Sequence, residues 1–182
     1  MGITKTELHF FDIMQYEEEG EYLRKMHQHG WEFIHVSLPG IYHFRECEPE
    51  DVVYQLDYNQ EGRAHKAEYV EMFQDCGWEY LQDAGGYSYF RKPVSAMQFG
   101  EERIFCDDAS RMEMLERILR GRLCPLLLMF CGLILQLVGQ WGLNGFTSPI
   151  ITILLFGMII LYLSIFMRFF TKYRNYRKRM NL

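Results

Sequence analysis

Tyr22-Leu-Arg-Lys-Met-His-Gln-His-Gly-Trp-Glu-Phe33 returns 47 residues later as Tyr69-Val-Glu-Met-Phe-Gln-Asp-Cys-Gly-Trp-Glu-Tyr80. Each copy leads into a glycine and a strand ending in Phe-Arg. These are Gly40-Ile-Tyr-His-Phe-Arg45 and Gly86-Tyr-Ser-Tyr-Phe-Arg91, with the Phe-Arg pairs 46 residues apart. A strand-like stretch opens each copy, Glu7 to Asp12 in the first and Val52 to Tyr58 in the second. A repeat seen only twice is a duplicated supersecondary unit, not a solenoid.

Each unit reads as β-α-β-β. The first helix is expected from about Tyr16 to His29, with Tyr22, Leu23 and Met26 as its apolar stripe. The second is expected from about Ala64 to Cys76, with Val70 and Phe73 inward. Gly30 and Gly77 fall where a helix C-terminus favours a left-handed residue, and Arg24, Lys25, His27 and His29 suit the dipole of the first helix end. Strands start at Trp31 and Trp78, and turns at Leu38-Pro39-Gly40 and Gly85-Gly86 fold them into hairpins. That register sets Glu32 across from Arg45 and Glu79 across from Arg91, cross-strand ion pairs of about 0.2–1 kcal/mol each.

Alternation puts Trp31, Phe33, Tyr42 and Phe44 on one sheet face, with Trp78, Tyr80 and Phe90 as counterparts. That face is the expected core under the helices. The opposite face is mixed: Ile34, Val36, Ile41 and His43 in one unit, Leu81, Tyr87 and Tyr89 in the other. It carries enough apolar surface to be a candidate interaction face for a partner, a second copy or a small amphiphile. The linker, Pro93 to Asp108, is an equal candidate to cover it. The expected fold class is α+β: two β-α-β-β units, about 5–47 and 52–92, in a ferredoxin-like, mostly antiparallel sheet of about six strands. A two-helix transmembrane hairpin then follows.

From Leu123 to Met167 there are 45 residues without a charge. About 20 apolar residues cross a bilayer core, so two spans fit, 123–141 and 149–167, joined by an uncharged loop. Between domain (1–93) and hairpin (123–167), residues 94–122 hold the linker and a juxtamembrane amphipathic helix. Its start is Ser110-Arg-Met-Glu113, a capping-box pattern, and Met112, Leu115, Ile118 and Leu119 follow at helical spacing. The basic tail is 168–182. Arg117, Arg120 and Arg122 precede the first span; Arg168, Lys172, Arg174, Arg177, Lys178 and Arg179 follow the second. By the positive-inside rule both termini are expected in the cytoplasm, in a two-span cell-membrane protein. Trp141 and Tyr173 suit interfacial positions.

The net charge of -5 hides a split. Residues 1–110 hold 22 acidic and 9 basic side chains, and residues 111–182 hold 2 and 10. The basic end should attract anionic headgroups, while the acidic domain argues against direct nucleic-acid binding. Gly2 and Thr6 fit a loose myristoylation pattern, but the stretch reads better as a first strand. Cys47, Cys76, Cys106, Cys124 and Cys131 form no C-x-x-C pair and no disulfide framework.

No catalytic, cofactor-binding or metal-binding set emerges, so the chain does not read as an enzyme. No H-E-x-x-H occurs among the six histidines. On strict alternation His35 and His43 fall on opposite faces, which argues against a site with His9. Glu32 and Glu79 have arginines opposite and read as structural ion pairs. The acidic run Glu17-Glu18-Glu19-Gly20-Glu21 favours a helix N-terminus. Gln136, Gln140, Thr152, Tyr162 and Ser164 are the polar residues of the spans, too few for transport; Gly132 and Gly139 make no G-x-x-x-G motif.

The repeated Gly30-Trp31-Glu32 and Gly77-Trp78-Glu79, the strand Tyr42 to Arg45, its looser counterpart ending in Arg91, and the C-terminal hairpin together resemble a bacterial family, domain of unknown function 2812. The likeness covers about residues 5 to 93. Members of that family often accompany PadR-type transcriptional regulators. The resemblance therefore implies a membrane-anchored regulatory domain that modulates or sequesters such a regulator, and it carries over no catalytic residues. The alternative is a membrane-proximal sensor binding a small amphiphile on the mixed sheet face. The expected partners are the lipid bilayer and a transcriptional regulator or a second copy.

Overall fold

The computed structural model describes residues 2–37, 39–58, 65–97, 108–143 and 149–180. The remainder of the helix-joining loop, most of the linker and the start expected for the second helix lie outside them, as do the side chains of Ser110 and Trp141. The chain divides into two units, 1–110 and 111–182.

The first unit runs β1 (Thr4–Leu8), α1 (Tyr16–Gln28), β2 (Trp31–Ser37), β3 (Ile41–Glu46), then β4 (Val52–Tyr58), α2 (Lys66–Asp75), β5 (Glu79–Ala84), β6 (Tyr87–Pro93). Each repeat is thus β-α-β-β, and the class is α+β. The strands form two antiparallel three-stranded sheets, ordered β1-β3-β2 and β4-β6-β5, in place of one sheet of six. No backbone ladder joins the sheets among the described residues. Side chains do so instead: Phe33 of β2 stacks on Tyr89 of β6 with ring centroids 5.7 Å apart. β1 begins at Thr4, not Glu7, because it pairs from Thr4 with Arg45 to Leu8 with Ile41, and Asp12 falls in the turn before α1.

The helix ends follow from the glycines. Gly30 and Gly77 have φ of 83° and 79°. Gly77 N–H donates to the Gln74 carbonyl and Trp78 N–H to that of Phe73, the paired bonds of a Schellman ending. Beyond α2, Val53, Trp78 and Phe90 form a buried cluster ringed by Tyr69, Phe73, Tyr80, Val94 and Met97. The described start of the linker therefore packs on the α2 side of its sheet and leaves the mixed face alone.

α1 is the element that joins the repeats. Its residues Tyr16, Glu19, Gly20, Leu23 and His27 are buried, a stripe at helical spacing. Tyr22 meets Tyr42 and Phe44 of the first sheet, while Tyr16 meets Tyr87 and His27 meets Tyr54 of the second. A methyl on Gly20 would lie 2.6 Å from the Tyr54 carbonyl oxygen, so helix and strand backbones are in direct contact. Arg24 clamps the approach to β4, with Nε and Nη2 donating to the two oxygens of Asp51 at 2.6 and 2.8 Å.

Both sheets carry a β-bulge at the same repeat position. The register slips between Phe33 and His35 in β2, and between Tyr80 and Gln82 in β5. A bulge places two residues opposite one and turns the following side chains over. Strict alternation therefore fails beyond Ile34 and Leu81. Val36 moves from the mixed face to stand opposite the core residue Tyr42, and His35 comes opposite His43.

α3 (Asp108–Ile118), most of it in the second unit, passes through a π-helical turn, Leu119–Leu123, into α4 (Cys124–Leu143), and α5 spans Pro149–Met180. Two helical stretches, Met112–Gln136 and Thr152–Lys178, are long and apolar enough to cross a membrane. α5 continues well past Met167, through the basic tail. Phe130 rings meet those of Tyr162 and Phe166 between α4 and α5.

Candidate functional site

Where β2 approaches β5, the repeated ion pairs merge. Arg45 Nη2 donates to Glu32 Oε2 at 2.6 Å, and Arg91 Nε donates to Glu79 Oε2 at 2.6 Å. The Arg91 guanidinium also reaches the other oxygen of Glu32. One arginine thus bridges carboxylates from both sheets, and the four residues form one chain, Arg45–Glu32–Arg91–Glu79. Burial alone would raise Glu32, but the two guanidiniums hold its carboxyl below the ordinary range. The Tyr54 hydroxyl adjoins Arg91, is pushed up to about 12 mainly by burial, and lies 2.7 Å from His27 Nδ1. Burial lowers the His27 pKa, which favours its neutral form.

A second polar cluster sits under α1. Glu19 is 6% exposed, and its Oε1 accepts from the hydroxyls of Tyr42 and Tyr89, both at 2.6 Å. The helix is thereby tied to β3 of one sheet and β6 of the other. Burial raises the Glu19 carboxyl pKa, against the opposing pull of the two phenols. The sequence placed Glu19 only in an acidic run; its spacing of three and four residues from Tyr22 and Leu23 is the signal that could have found it. The raised folded-state pKa fixes a sign: Glu19 adds stability in full below its ordinary pKa near 4.5, and that stability drains as pH climbs through the raised value. Glu19→Gln should therefore flatten the unfolding profile between pH 4 and 8, with its largest gain relative to wild type at the alkaline end. Parallel profiles for the two proteins would show that Glu19 does not titrate in that range.

The repeat residues Gly30, Trp31, Glu32, Arg45, Gly77, Trp78, Glu79 and Arg91 all lie at the helix ends and the sheet join. The mixed-face residues separate. Tyr87 and Tyr89 are buried, beneath Tyr16 and Glu19 of α1, and the Tyr87 hydroxyl donates to the Ile13 carbonyl. Leu81 is half-buried in the bulge and Val36 has turned inward. Ile34 is exposed, and Ile41 and His43 are half-buried, on the first sheet. There Leu8 pairs with Ile41, and His35 stacks on His43 with ring centroids 4.1 Å apart. His9 lies apart, stacked on Phe11 and Tyr22. Among the described residues no group of three or more His, Cys, Asp or Glu is placed to hold a metal.

The pattern of a family described as protein of unknown function (DUF2812) matches residues 15–128. The chain belongs to the DUF2812 family. The DUF2812 match starts just before α1, leaves out β1, takes in the rest of the first repeat and all of the second, and continues through the linker and α3 into the first turn of α4. It reaches well past residue 93, where the resemblance by motif had stopped, so the juxtamembrane helix is part of the family unit. No curated protein and no solved structure matches the chain.

Proposed function

We propose that this DUF2812 protein is a membrane-held regulatory module. Its acidic α+β unit faces the cytoplasm and engages a protein partner through the open face of the first sheet. The observation that carries the reading is the exposed apolar surface of the second unit. Leu128 and Leu135 are 74% and 72% exposed, and Ile153, Leu154, Ile160 and Phe170 are open as well. Water does not tolerate a contiguous patch of that size, whereas a bilayer needs it. The cations lie at the α3–α4 junction and the α5 end, a distribution that supports a cytoplasmic side for both termini.

For the partner, the acidic charge of the first unit favours a protein over nucleic acid. The open face mixes Leu8, Ile41 and Ile34 with Thr6, His35, His43 and Arg45, an apolar centre with a polar surround of the kind protein interfaces use. The resemblance to a family that accompanies PadR-type transcriptional regulators makes such a regulator the partner class to test. The amphiphile reading keeps only the first-sheet half of its face, because α1 closes the half that holds Tyr87 and Tyr89.

Crosslinking the full chain in its native cells, followed by detergent solubilisation, affinity capture and mass spectrometry, tests this. The expected result is a transcriptional regulator that is recovered with the wild-type chain and lost with Ile41→Asp. A regulator that never enriches over an unrelated two-span control would refute the partner assignment.

A further inference from the structure

The cations of the second unit gather from two helices at matched heights. Phe130 of α4 meets Tyr162 and Phe166 of α5 and sets a common level for both. At about 1.5 Å rise per residue, Arg122, Arg120 and Arg117 lie roughly 12, 15 and 20 Å from Phe130 along the helix axis. Counted from the midpoint of Tyr162 and Phe166, Lys172, Arg174 and Arg177 lie about the same 12, 15 and 20 Å along the returning helix. Each cation of the first helix thus has one of the second at its own height. The lowest pair stands beside the end of the apolar stretch, and the others lie beyond it. The nearby acid is Glu116, whose Oε2 is 3.7 Å from Arg120 Nη2, and Glu113 lies a turn earlier.

The backbone is unusual at the same height. Arg120-Gly121-Arg122 occupies the π-helical turn Leu119–Leu123, with α-helix on either side. Such turns widen a helix by one residue and concentrate at functional positions. Here the turn sits where the amphipathic helix becomes apolar, and it carries Arg120 and Arg122.

We infer that Arg120, Arg122, Lys172 and Arg174 form a binding site for the phosphate of an anionic phospholipid, seated between the α3–α4 junction and α5. Guanidinium groups from one helix supply forked donors to the phosphate oxygens, and Lys172 adds a point charge. The acyl chains lie along the exposed apolar sides of α4 and α5. A zwitterionic headgroup, whose own ammonium meets this cation belt, gains less. The inference rests on the membrane reading above, and its test separates the two.

The full-length protein is to be offered to phosphatidylcholine vesicles and to vesicles that also contain phosphatidylglycerol, and its retained lipid measured by native mass spectrometry through stepwise delipidation. Flotation with both vesicles is expected, along with phosphatidylglycerol retained about tenfold or more over phosphatidylcholine. The Arg120→Gln/Arg122→Gln/Lys172→Gln/Arg174→Gln variant should float equally and lose that preference. Retention by the variant equal to wild type, or equal retention of the two lipids by wild type, would overturn the site while leaving the anchor intact. If inorganic phosphate or pyrophosphate strips phosphatidylglycerol at matched concentration, the site is one for soluble anions. Failure to float with either vesicle would refute membrane anchoring itself.

Discussion

Gly20→Ala should destabilise the first unit by about 1–3 kcal/mol, the usual range for forced overpacking. The ordinary expectation has the opposite sign, because alanine in a helix interior is favoured over glycine by about 1 kcal/mol. The reversal comes from one contact. The added methyl would lie 2.6 Å from the Tyr54 carbonyl oxygen, a backbone atom in β4 that cannot swing aside. Relief requires α1 to back away from β4, which would stretch the Glu19 bonds to Tyr42 and Tyr89 and the contact of His27 with Tyr54. The second repeat supplies a natural comparison. Ala67 occupies the position of Gly20 in α2 and is exposed, so a methyl is accepted there. Thermal unfolding of the full chain in detergent, followed by tryptophan fluorescence from the buried Trp78, measures the effect. At 4–8 °C per kcal/mol for a unit of about 100 residues, the midpoint should fall by several degrees. An unchanged or raised midpoint would mean that α1 and β4 are not in backbone contact.

That contact also marks the limit of what the repeat could tell. Duplication disclosed both β-α-β-β units, the glycine helix ends and the pairing of Glu32 with Arg45 and of Glu79 with Arg91, since all of these are local. The bulges at Ile34 and Leu81 were hidden, because a two-residue period carries no sign of an inserted residue. They decide that Val36 points inward and that His35 meets His43. The insertion of α1 between two sheets is tertiary and left only an indirect trace, which strand chemistry does record. Thr4, Thr6 and Leu8 run opposite Arg45, His43 and Ile41, whereas Tyr54, Leu56 and Tyr58 run opposite Arg91, Tyr89 and Tyr87. The first set mixes polar side chains with Leu8 and Ile41 and stays open. The second is mostly aromatic and receives α1. Aligning the repeats strand by strand, instead of only at Gly-Trp-Glu, exposes that contrast in the sequence. The function was less legible, because a fold does not by itself fix the function it carries.

The same asymmetry makes the two repeated arginines unequal in energy. Arg91→Ala should destabilise the first unit by about 3 kcal/mol, whereas Arg45→Ala should change it by less than about 1 kcal/mol. Position in the repeat predicts equality, since each arginine faces the glutamate beside its tryptophan. Burial and connectivity break the tie. The Arg45 side chain is 56% exposed and, among the described residues, pairs with Glu32 of its own sheet. Arg91 is 17% exposed, grips Glu79 through Nε and Nη2, and extends Nη1 to Glu32 of the other sheet. Its removal strands Glu32, itself 14% exposed, with only a solvent-screened partner, and takes away the cation beside Tyr54. The figure sits at the low end for a buried network because Glu79 is more than half open to water. Arg91→Lys should recover little, since one ammonium cannot make the forked bond to Glu79 and still reach Glu32. The double variant Glu32→Gln/Arg91→Met tests whether the loss is a stranded charge: it should be more stable than Arg91→Ala, because a neutral amide needs no counter-ion. Chemical unfolding of the four variants beside wild type gives the comparison. Equal losses for Arg45→Ala and Arg91→Ala would show that the sheets are not joined through Arg91 and that each repeat holds its ion pair separately.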